Sequence, residues 1–338
     1  MIFFDDGELE IALCTYNRPT FVKEWLAHYY EGLLERNIGL TVFDSSINDE
    51  TSTLIASFNK LNNGKIKYQR VDSNCSIGLK PTIPMMSIDS KYVWVCGDSR
   101  VHPFLDLDTK VFPLIKRSID FITFFIVDNE SNDGKIYYNK SEFLNDCLIS
   151  LTCIGLSIYK TALFDRLRFD ATFRSNCNNK YEDNYGFAWI GYFLESFALG
   201  NYSAAFVKID ITDLLPRKKK QQWSTKFYEC WAVDLCDLLD ALPECYQNRQ
   251  FIPQNTWKSL KFDTRMKCYF ARKYGDLTSK KYDLYASKGY LTRITKKTKR
   301  LRFFAKAPLF LLFIITIPDR IVLYLKIIKR KIVKLLCF

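Results

Sequence analysis

The sequence predicts an α/β fold for residues 1–215, and three observations lead to that prediction. Short apolar segments typical of strands alternate with longer segments whose apolar residues recur at helical spacing. Strands that alternate with helices form parallel βαβ units. Polar clusters follow three of the strands, at Thr15–Arg18, Asp44–Asp49 and Asp98–Arg100. The carboxyl ends of parallel strands meet at one edge of a sheet, where ligands bind.

The individual elements follow from local signals. Pro19 opens the first helix, because its missing N–H costs nothing there, and bulky apolar residues at i+4 steps mark the buried face. The predicted strands are Leu9–Cys14, Leu40–Asp44, Lys65–Val71, Tyr92–Cys96, Asp120–Val127, Thr152–Tyr159 and Tyr202–Ile211. The predicted helices are Thr20–Arg36, Glu50–Leu61, Lys80–Ile88, Gly186–Leu199 and Phe227–Leu242, with a polar loop at Asn176–Asp183 and further helices from Thr256.

The composition excludes several classes of protein. With 338 residues, 48% of them hydrophobic, the chain is long enough to bury a sizeable core. Eleven scattered cysteines without a Cys-x-x-Cys pair argue against a disulfide framework and structural zinc, and favour reduced thiols in a cytosolic setting. Only His28 and His102 exist, which excludes a multi-histidine metal centre. The common phosphate-loop, dinucleotide, zinc-protease and hydrolase motifs are absent.

The whole excess of positive charge lies at the end of the chain. Residues 291–338 contain 13 basic residues and one acidic residue, which leaves 36 of each sign elsewhere. The apolar run Leu309–Ile317 is shorter than the ~20 residues that cross a bilayer. Arg320–Leu336 then has a basic face and an aliphatic face, typical of a helix on anionic lipid rather than of a nucleic-acid site. The alternative is a helix packed on the protein's own core.

Four motifs resemble those of family 2 glycosyltransferases with the GT-A fold. They lie at Cys14–Pro19, Val42–Thr51, Asn74–Gly78 and Tyr92–Asp98, in the order and spacing of that family. The pattern of apolar and basic residues predicts a helical region at 216–290 and a membrane-binding tail at 291–338, which have no counterpart in that family. The resemblance implies a Rossmann-like catalytic domain at residues 1–215. It also implies the inverting transfer of a sugar from a nucleotide-diphosphate sugar, with UDP-sugars favoured, to an acceptor hydroxyl.

By the same resemblance, several residues would bind the nucleotide. Asp44 would accept a hydrogen bond from the base, although a turn or helix-capping aspartate is the alternative. Lys80 would reach the diphosphate or an anionic acceptor. The predicted nucleotide-binding residues are Thr15, Tyr16, Asn17, Arg18, Asp44, Lys80, Asp98 and Arg100.

The sequence departs from the family at its Asp-x-Asp element. Asp98 matches the first acid, but Arg100 stands where the family usually has the second. Two carboxylates beside a diphosphate hold Mg²⁺ or Mn²⁺, whereas a guanidinium itself donates two hydrogen bonds to a phosphate. Three alternatives stay open: Asp98 binds a metal with the phosphates and water, Arg100 supplies the positive charge, or activity is lost. A turn aspartate is the structural alternative for Asp98.

The resemblance places the general base at Glu182-Asp183, before a helix. Attack by a hydroxyl on the anomeric carbon needs a base opposite the leaving diphosphate, and a carboxylate serves. We expect Asp183 as the base and Glu182 as the second choice, with a helix-capping acid as the alternative.

Together with the tail, these features predict a peripheral enzyme at the cytoplasmic membrane face that acts on a lipid-linked or surface glycan acceptor. The alternative function is a catalytically degenerate GT-A protein that binds a nucleotide sugar or a partner there.

Overall fold

The structure is a computed structural model that describes residues 1–62, 64–125, 132–184, 186–210, 212–213, 226, 228–259, 264–319 and 321–322. The chain divides into two compact units. Unit 1 comprises Met1–Lys218 with Ala241–Gln247, and unit 2 comprises Lys219–Asp240 with Asn248–Phe338. Most of the expected helical region and the expected tail therefore fall together in unit 2.

The strands of unit 1 are β1 Leu9–Thr15, β2 Gly39–Asp44, β3 Lys67–Arg70, β4 Tyr92–Gly97, β5 Arg100–Val101, β6 Phe121–Phe125, β7 Ile136–Tyr137, β8 Ser157–Lys160, β9 Ala204–Lys208 and β10 Thr212–Asp213. Among the described residues, eight of them form one sheet in the order β3-β2-β1-β4-β8-β6-β9-β7. Only β7 and β8 pair antiparallel in it, so the sheet is mostly parallel. The predicted α/β fold class is confirmed. β5 and β10 form a separate antiparallel pair.

The helices of unit 1 are α1 Pro19–Glu35, α2 Glu50–Asn62, α3 Thr82–Ser87, α4 Phe104–Asp106, α5 Phe112–Lys116, α6 Lys140–Leu151, α7 Asp165–Phe169, α8 Ala171–Tyr181 and α9 Ala188–Ala198. A π-helical turn at Leu107–Val111 joins α4 to α5, and a 3₁₀ turn at Thr161–Phe164 precedes α7.

The helices from α10 onward are α10 Leu235–Ala241, α11 Ile252–Ser259, α12 Arg265–Lys273, α13 Ser279–Ser287, α14 Tyr290–Ile294, α15 Thr298–Lys306 and α16 Leu309–Ile315. A π-helical turn at Glu229–Asp234 leads into α10, and a 3₁₀ turn at Arg249–Phe251 precedes α11.

α1 shows how the sequence pattern becomes the core of unit 1. Pro19 is its first residue, as predicted, and the buried side chains include Val22, Trp25, Tyr29 and Leu33, which recur every three or four residues. These side chains belong to one apolar cluster with residues of β1, β2 and β4. The cluster therefore anchors α1 against the strands whose ends carry the polar motifs.

The predicted polar loop at Asn176–Asp183 is wrong, because α8 occupies most of it. The segment has few apolar residues, which hid its helical character. Asp170 caps the helix by accepting a hydrogen bond from Phe173 N at 2.9 Å. Cys177 and Tyr181 are buried, at the i+4 spacing of a single helical face. The predicted inner strand Thr152–Tyr159 is also shorter than expected, since β8 begins only at Ser157.

Unit 2 has its own apolar core, which includes Tyr228, Trp257, Leu301 and Leu312. The helices predicted from Thr256 onward are present in the described part. Most of the predicted amphipathic segment Arg320–Leu336 lies outside the described residues. Among the helices that are described, none has both the length and the apolarity to span a bilayer. The ten described cysteines are all free thiols, and six of them are buried.

Candidate nucleotide-binding site

The three predicted polar clusters lie side by side at the carboxyl edge of the sheet. β1 pairs with β2 on one side and with β4 on the other, and the registers bring Thr15 opposite Asp44 and Cys14 opposite Gly97. The chain leaves β1 toward β2 and later returns to β4 on the opposite side. Such a reversal of strand order opens a crevice at the carboxyl ends, where α/β proteins bind ligands.

Asp98 lies at this reversal point and is almost fully buried. Its Oδ2 accepts a hydrogen bond from Thr15 Oγ1 at 2.7 Å, and its Oδ1 accepts one from Arg18 Nη1 at 3.1 Å. Burial raises the pKa of Asp98 above its usual value, and the charge of Arg18 and the Thr15 hydroxyl oppose that rise. The predicted residues Thr15, Arg18 and Asp98 thus form one network.

Asp44 has no exposed surface, and its carboxylate is engaged by the protein's own donors. Oδ1 accepts from Ser46 N at 2.8 Å and from the Ser46 hydroxyl, while Oδ2 accepts from Tyr68 OH at 2.9 Å. Burial and the neighbouring Asp44 raise the pKa of Tyr68 to about 12, so its phenol keeps the proton that it donates. These contacts are those of an aspartate that stabilises its own turn, and the contact of Asp44 with a base stays a prediction.

The turn after β1 is tied to the turn after β2. Asn17 N donates to Ser46 Oγ at 2.7 Å, and Ile47 N donates to Asn17 Oδ1 at 3.3 Å. Asn17 has a φ of +52°, a left-handed conformation that asparagine tolerates better than most residues. These two hydrogen bonds hold the elbow between β1 and α1 on the β2 side, and the hydrogen bonds to Asp98 hold it on the β4 side. Together they fix the direction of its side chains.

The residues that face solvent at this edge are different from the buried ones. Tyr16, Asn17 and Arg18 are exposed, and Lys80 is half-buried with its Nζ 4.6 Å from the centre of the Tyr16 ring. Burial lowers the pKa of Lys80 below its usual value. This edge of the sheet therefore has two cationic side chains that solvent reaches, Arg18 and Lys80. Buried Thr15, Asp44 and Asp98 position this exposed layer from below.

Arg100 is positioned by a different strand from the one that leads to Asp98. It belongs to β5, where it pairs with Asp213 of β10, and its side chain is half-buried. Its positive charge acts on His102 and on the buried thiol of Cys153. Arg18 forms an ion pair with Asp98, a pairing that the sequence interpretation missed.

The two candidate bases, Glu182 and Asp183, are exposed between α8 and α9. The start of α9 lies beside the segment that leads to Lys80, because Trp189 N donates to Gly78 O at 2.9 Å. The capping alternative is not seen here: Asn184 Oδ1 accepts from Phe187 N at 2.9 Å, and α9 has no acidic residue in its first turn. Asp183 is exposed, and its role as the base stays a prediction.

The residues around Asp98 do not fit a chelated divalent cation. Within the described part of the chain, no three His, Cys, Asp or Glu side chains are grouped so that they could hold a metal ion. Both Asp98 oxygens already accept hydrogen bonds, and Arg18 places a positive charge beside them. The neighbouring Cys14 thiol does not supply a thiolate, because burial raises its pKa to about 12.

No protein-family model matches the sequence, and no curated protein matches it significantly. Among solved structures, the chain is similar to a mannosyltransferase of Pyrobaculum calidifontis in complex with GDP-Man and Mn²⁺ (12% identity, 93% of this chain, 89% of that chain, TM-score 0.49). It is also similar to TarS 1-349 of S. aureus in complex with UDP-GlcNAc (13% identity, 88% of this chain, 90% of that chain, TM-score 0.45). A third similar structure is glucosyl-3-phosphoglycerate synthase of Mycobacterium tuberculosis in complex with UDP, Mn²⁺ and glucosyl-3-phosphoglycerate (14% identity, 70% of this chain, 81% of that chain, TM-score 0.46).

Proposed function

We propose that this protein is a glycosyltransferase that moves a sugar from a nucleotide-diphosphate sugar to an acceptor hydroxyl. One observation carries the proposal: the motifs at Thr15–Arg18, Asp44 and Asp98 come together at the carboxyl ends of β2, β1 and β4, at the reversal of strand order. Two cationic side chains, Arg18 and Lys80, are exposed or half-exposed there. A crevice with cations at such an edge suits a nucleoside diphosphate.

In this proposal the nucleotide lies along the elbow Thr15–Arg18, with its base toward the Asp44 turn and its diphosphate toward Lys80. The acceptor hydroxyl oxygen forms a bond to the anomeric carbon on the face opposite the leaving group. The bond between that carbon and the diphosphate oxygen breaks, and the hydroxyl proton passes to the Asp183 carboxylate. The products are an inverted glycoside and a nucleoside diphosphate.

The test is nucleotide binding together with turnover. We expect the full chain to bind UDP or GDP and to release that nucleotide from a matching nucleotide sugar when acceptors are offered. Asp183→Asn should lower turnover by about 10²–10⁴-fold with unchanged nucleotide affinity. Glu182→Gln tests the second choice, and Asp5→Asn is a control for an exposed carboxylate distant in sequence. Normal turnover in both acid variants would remove the proposed base.

A non-catalytic nucleotide-sugar binding protein is the second candidate. The engagement of Asp98 by Thr15 and Arg18, with Arg100 in place of a second acid, favours it. This candidate predicts nucleotide binding without turnover, and an Asp183→Asn variant that behaves like the native chain in every assay.

We also propose that unit 2 binds the cytoplasmic face of a membrane, which would bring the enzyme to a lipid-linked or surface glycan acceptor. α16 buries Leu312 but leaves apolar side chains facing outward, with Phe310 70% and Ile314 55% exposed. Phe313 and Ile317 continue the same exposed surface. In sequence, α16 belongs to the strongly basic segment 291–338. An apolar surface in a basic segment suits insertion into anionic lipid.

Substitution tests this surface better than truncation. Leu301, Phe304 and Leu312 belong to the core of unit 2, so deletion of residues 301–338 would break that core. We expect Phe310→Asp with Phe313→Asp to weaken cosedimentation with phosphatidylglycerol vesicles by at least about 10-fold. The control Leu284→Asp changes a leucine of α13 that is 49% exposed, close to the 46% of Phe313. Equal losses in both variants would contradict a specific lipid-binding role for α16.

A further inference from the structure

The positive charge beside Asp98 comes from the chain itself. Arg18 Nη1 lies 3.1 Å from Asp98 Oδ1, and the side chain of Arg18 is 42% exposed while that of Asp98 is 5% exposed. The guanidinium therefore extends from a buried carboxylate to the surface of the crevice. Thr15 occupies the other carboxylate oxygen. This ion pair with one buried partner holds the arginine in one orientation, because separating it would leave the buried Asp98 carboxylate without its counter-charge.

The outer part of this guanidinium can receive an anion. Arginine presents five N–H donors in a planar fork, and the structure describes one carboxylate partner, reached through a single nitrogen. The centre of the Phe21 ring lies 5.5 Å from Cζ of Arg18. Arg18 also precedes the first turn of α1, a 17-residue helix with no acidic residue in that turn. The helix dipole therefore adds to the attraction for a negative group.

We propose that Arg18 binds the diphosphate of the nucleotide sugar directly and takes the place of a divalent cation, so that nucleotide binding needs no metal. This inference rests on the proposed function. Asp98 is then a positioning residue that holds one edge of the guanidinium, while phosphate oxygens accept hydrogen bonds from the others. Lys80, whose Nζ lies 4.6 Å from the centre of the Tyr16 ring, supplies a second positive charge at this edge of the sheet. A divalent cation at Asp98 would have to displace Arg18 from its carboxylate.

The test compares nucleotide affinity with and without metal. Calorimetry of the full chain with UDP, GDP and inorganic pyrophosphate, in EDTA and in Mn²⁺, should give affinities that agree within about threefold, because the guanidinium carries the charge. In EDTA, Arg18→Ala should weaken binding by about 10- to 100-fold. Arg18→Lys, which keeps the charge but loses the fork, should weaken it less. Asp98→Asn should also weaken it less than Arg18→Ala.

A matched control and a direct metal measurement complete the experiment. Arg166→Ala removes another exposed, ion-paired arginine, whose partner is Asp170, and should leave binding unchanged. Electron paramagnetic resonance of Mn²⁺ should show the same signal with and without protein, both for Mn²⁺ alone and at a fixed concentration of UDP, which binds some Mn²⁺ by itself. This second readout does not depend on any variant folding.

The outcomes separate the two proposals. If UDP or GDP binds only with Mn²⁺, or if Asp98→Asn abolishes binding that Arg18→Ala retains, the role of Arg18 is overturned and the nucleotide-sugar function stands. If pyrophosphate binds through Arg18 in EDTA but neither nucleotide does, the anion site stands and the proposed function fails. If none of the three ligands binds, both proposals fail.

Discussion

Replacing Thr15 by Val tests whether the buried network beneath the crevice is stabilising. Valine has nearly the shape of threonine, so the change removes the hydroxyl that donates to Asp98 Oδ2 at 2.7 Å without leaving a cavity. A hydrogen bond to a charged group contributes about 1.5–3 kcal/mol. We expect that loss to appear as about 10- to 100-fold faster hydrogen exchange in β1 and β4, measured by mass spectrometry under conditions that report opening equilibria.

The pH dependence of this variant follows from Asp98. Its pKa is raised in the folded state above 3.8, so ionisation costs stability as the pH rises through the folded pKa. Thr15→Val raises that pKa further, because a stabilising donor to the carboxylate is lost. The deficit relative to the native chain should be complete above the variant's folded pKa and should shrink as the pH falls below it.

The control is Thr15→Ser, which keeps the hydroxyl and loses one buried methyl group, at a cost of about 0.8 kcal/mol. The Ser variant should keep most of the protection in β1 and β4, and its deficit should not depend on pH. If Thr15→Val is as stable as the native chain at pH 7, the hydrogen bond to Asp98 contributes nothing and the argument is wrong.

Two further predictions concern the cores of the two units. Gly191→Ala should destabilise unit 1 by about 1–3 kcal/mol in thermal melts, because the added Cβ would lie 2.4 Å from the buried Tyr181 ring; an unchanged melting temperature would show that the ring can move aside. In unit 2, burial raises the pKa of Asp276 to about 6, above its ordinary 3.8. Its ionisation should therefore cost unit 2 stability as the pH rises from about 4 to about 6, and Asp276→Asn should remove this slope from exchange in α12 and α13.

The order of elements before residue 100 could be predicted because its signals are local. Pro19 marks a helix start, apolar runs mark buried strands, and polar clusters mark strand ends. β1, α1, β2, α2 and β4 lie within a few residues of their predicted positions. α8 could not be predicted in this way, because its polar residues hide the pattern. Capping by Asp170 and the burial of Tyr181 stabilise α8 despite the weak helix propensity of its sequence.

By itself, the sequence determined that this protein alternates strands with helices and that polar residues follow the strands, because periodicity and turn chemistry act between near neighbours in the chain. It also placed the basic residues at the end of the chain. Only the tertiary structure decided that β1 lies between β2 and β4, that Asp44 is buried in its turn, and that Arg18 is the cation on Asp98. Those facts depend on strand order and on the direction of side chains about 80 residues apart, which no local pattern specifies.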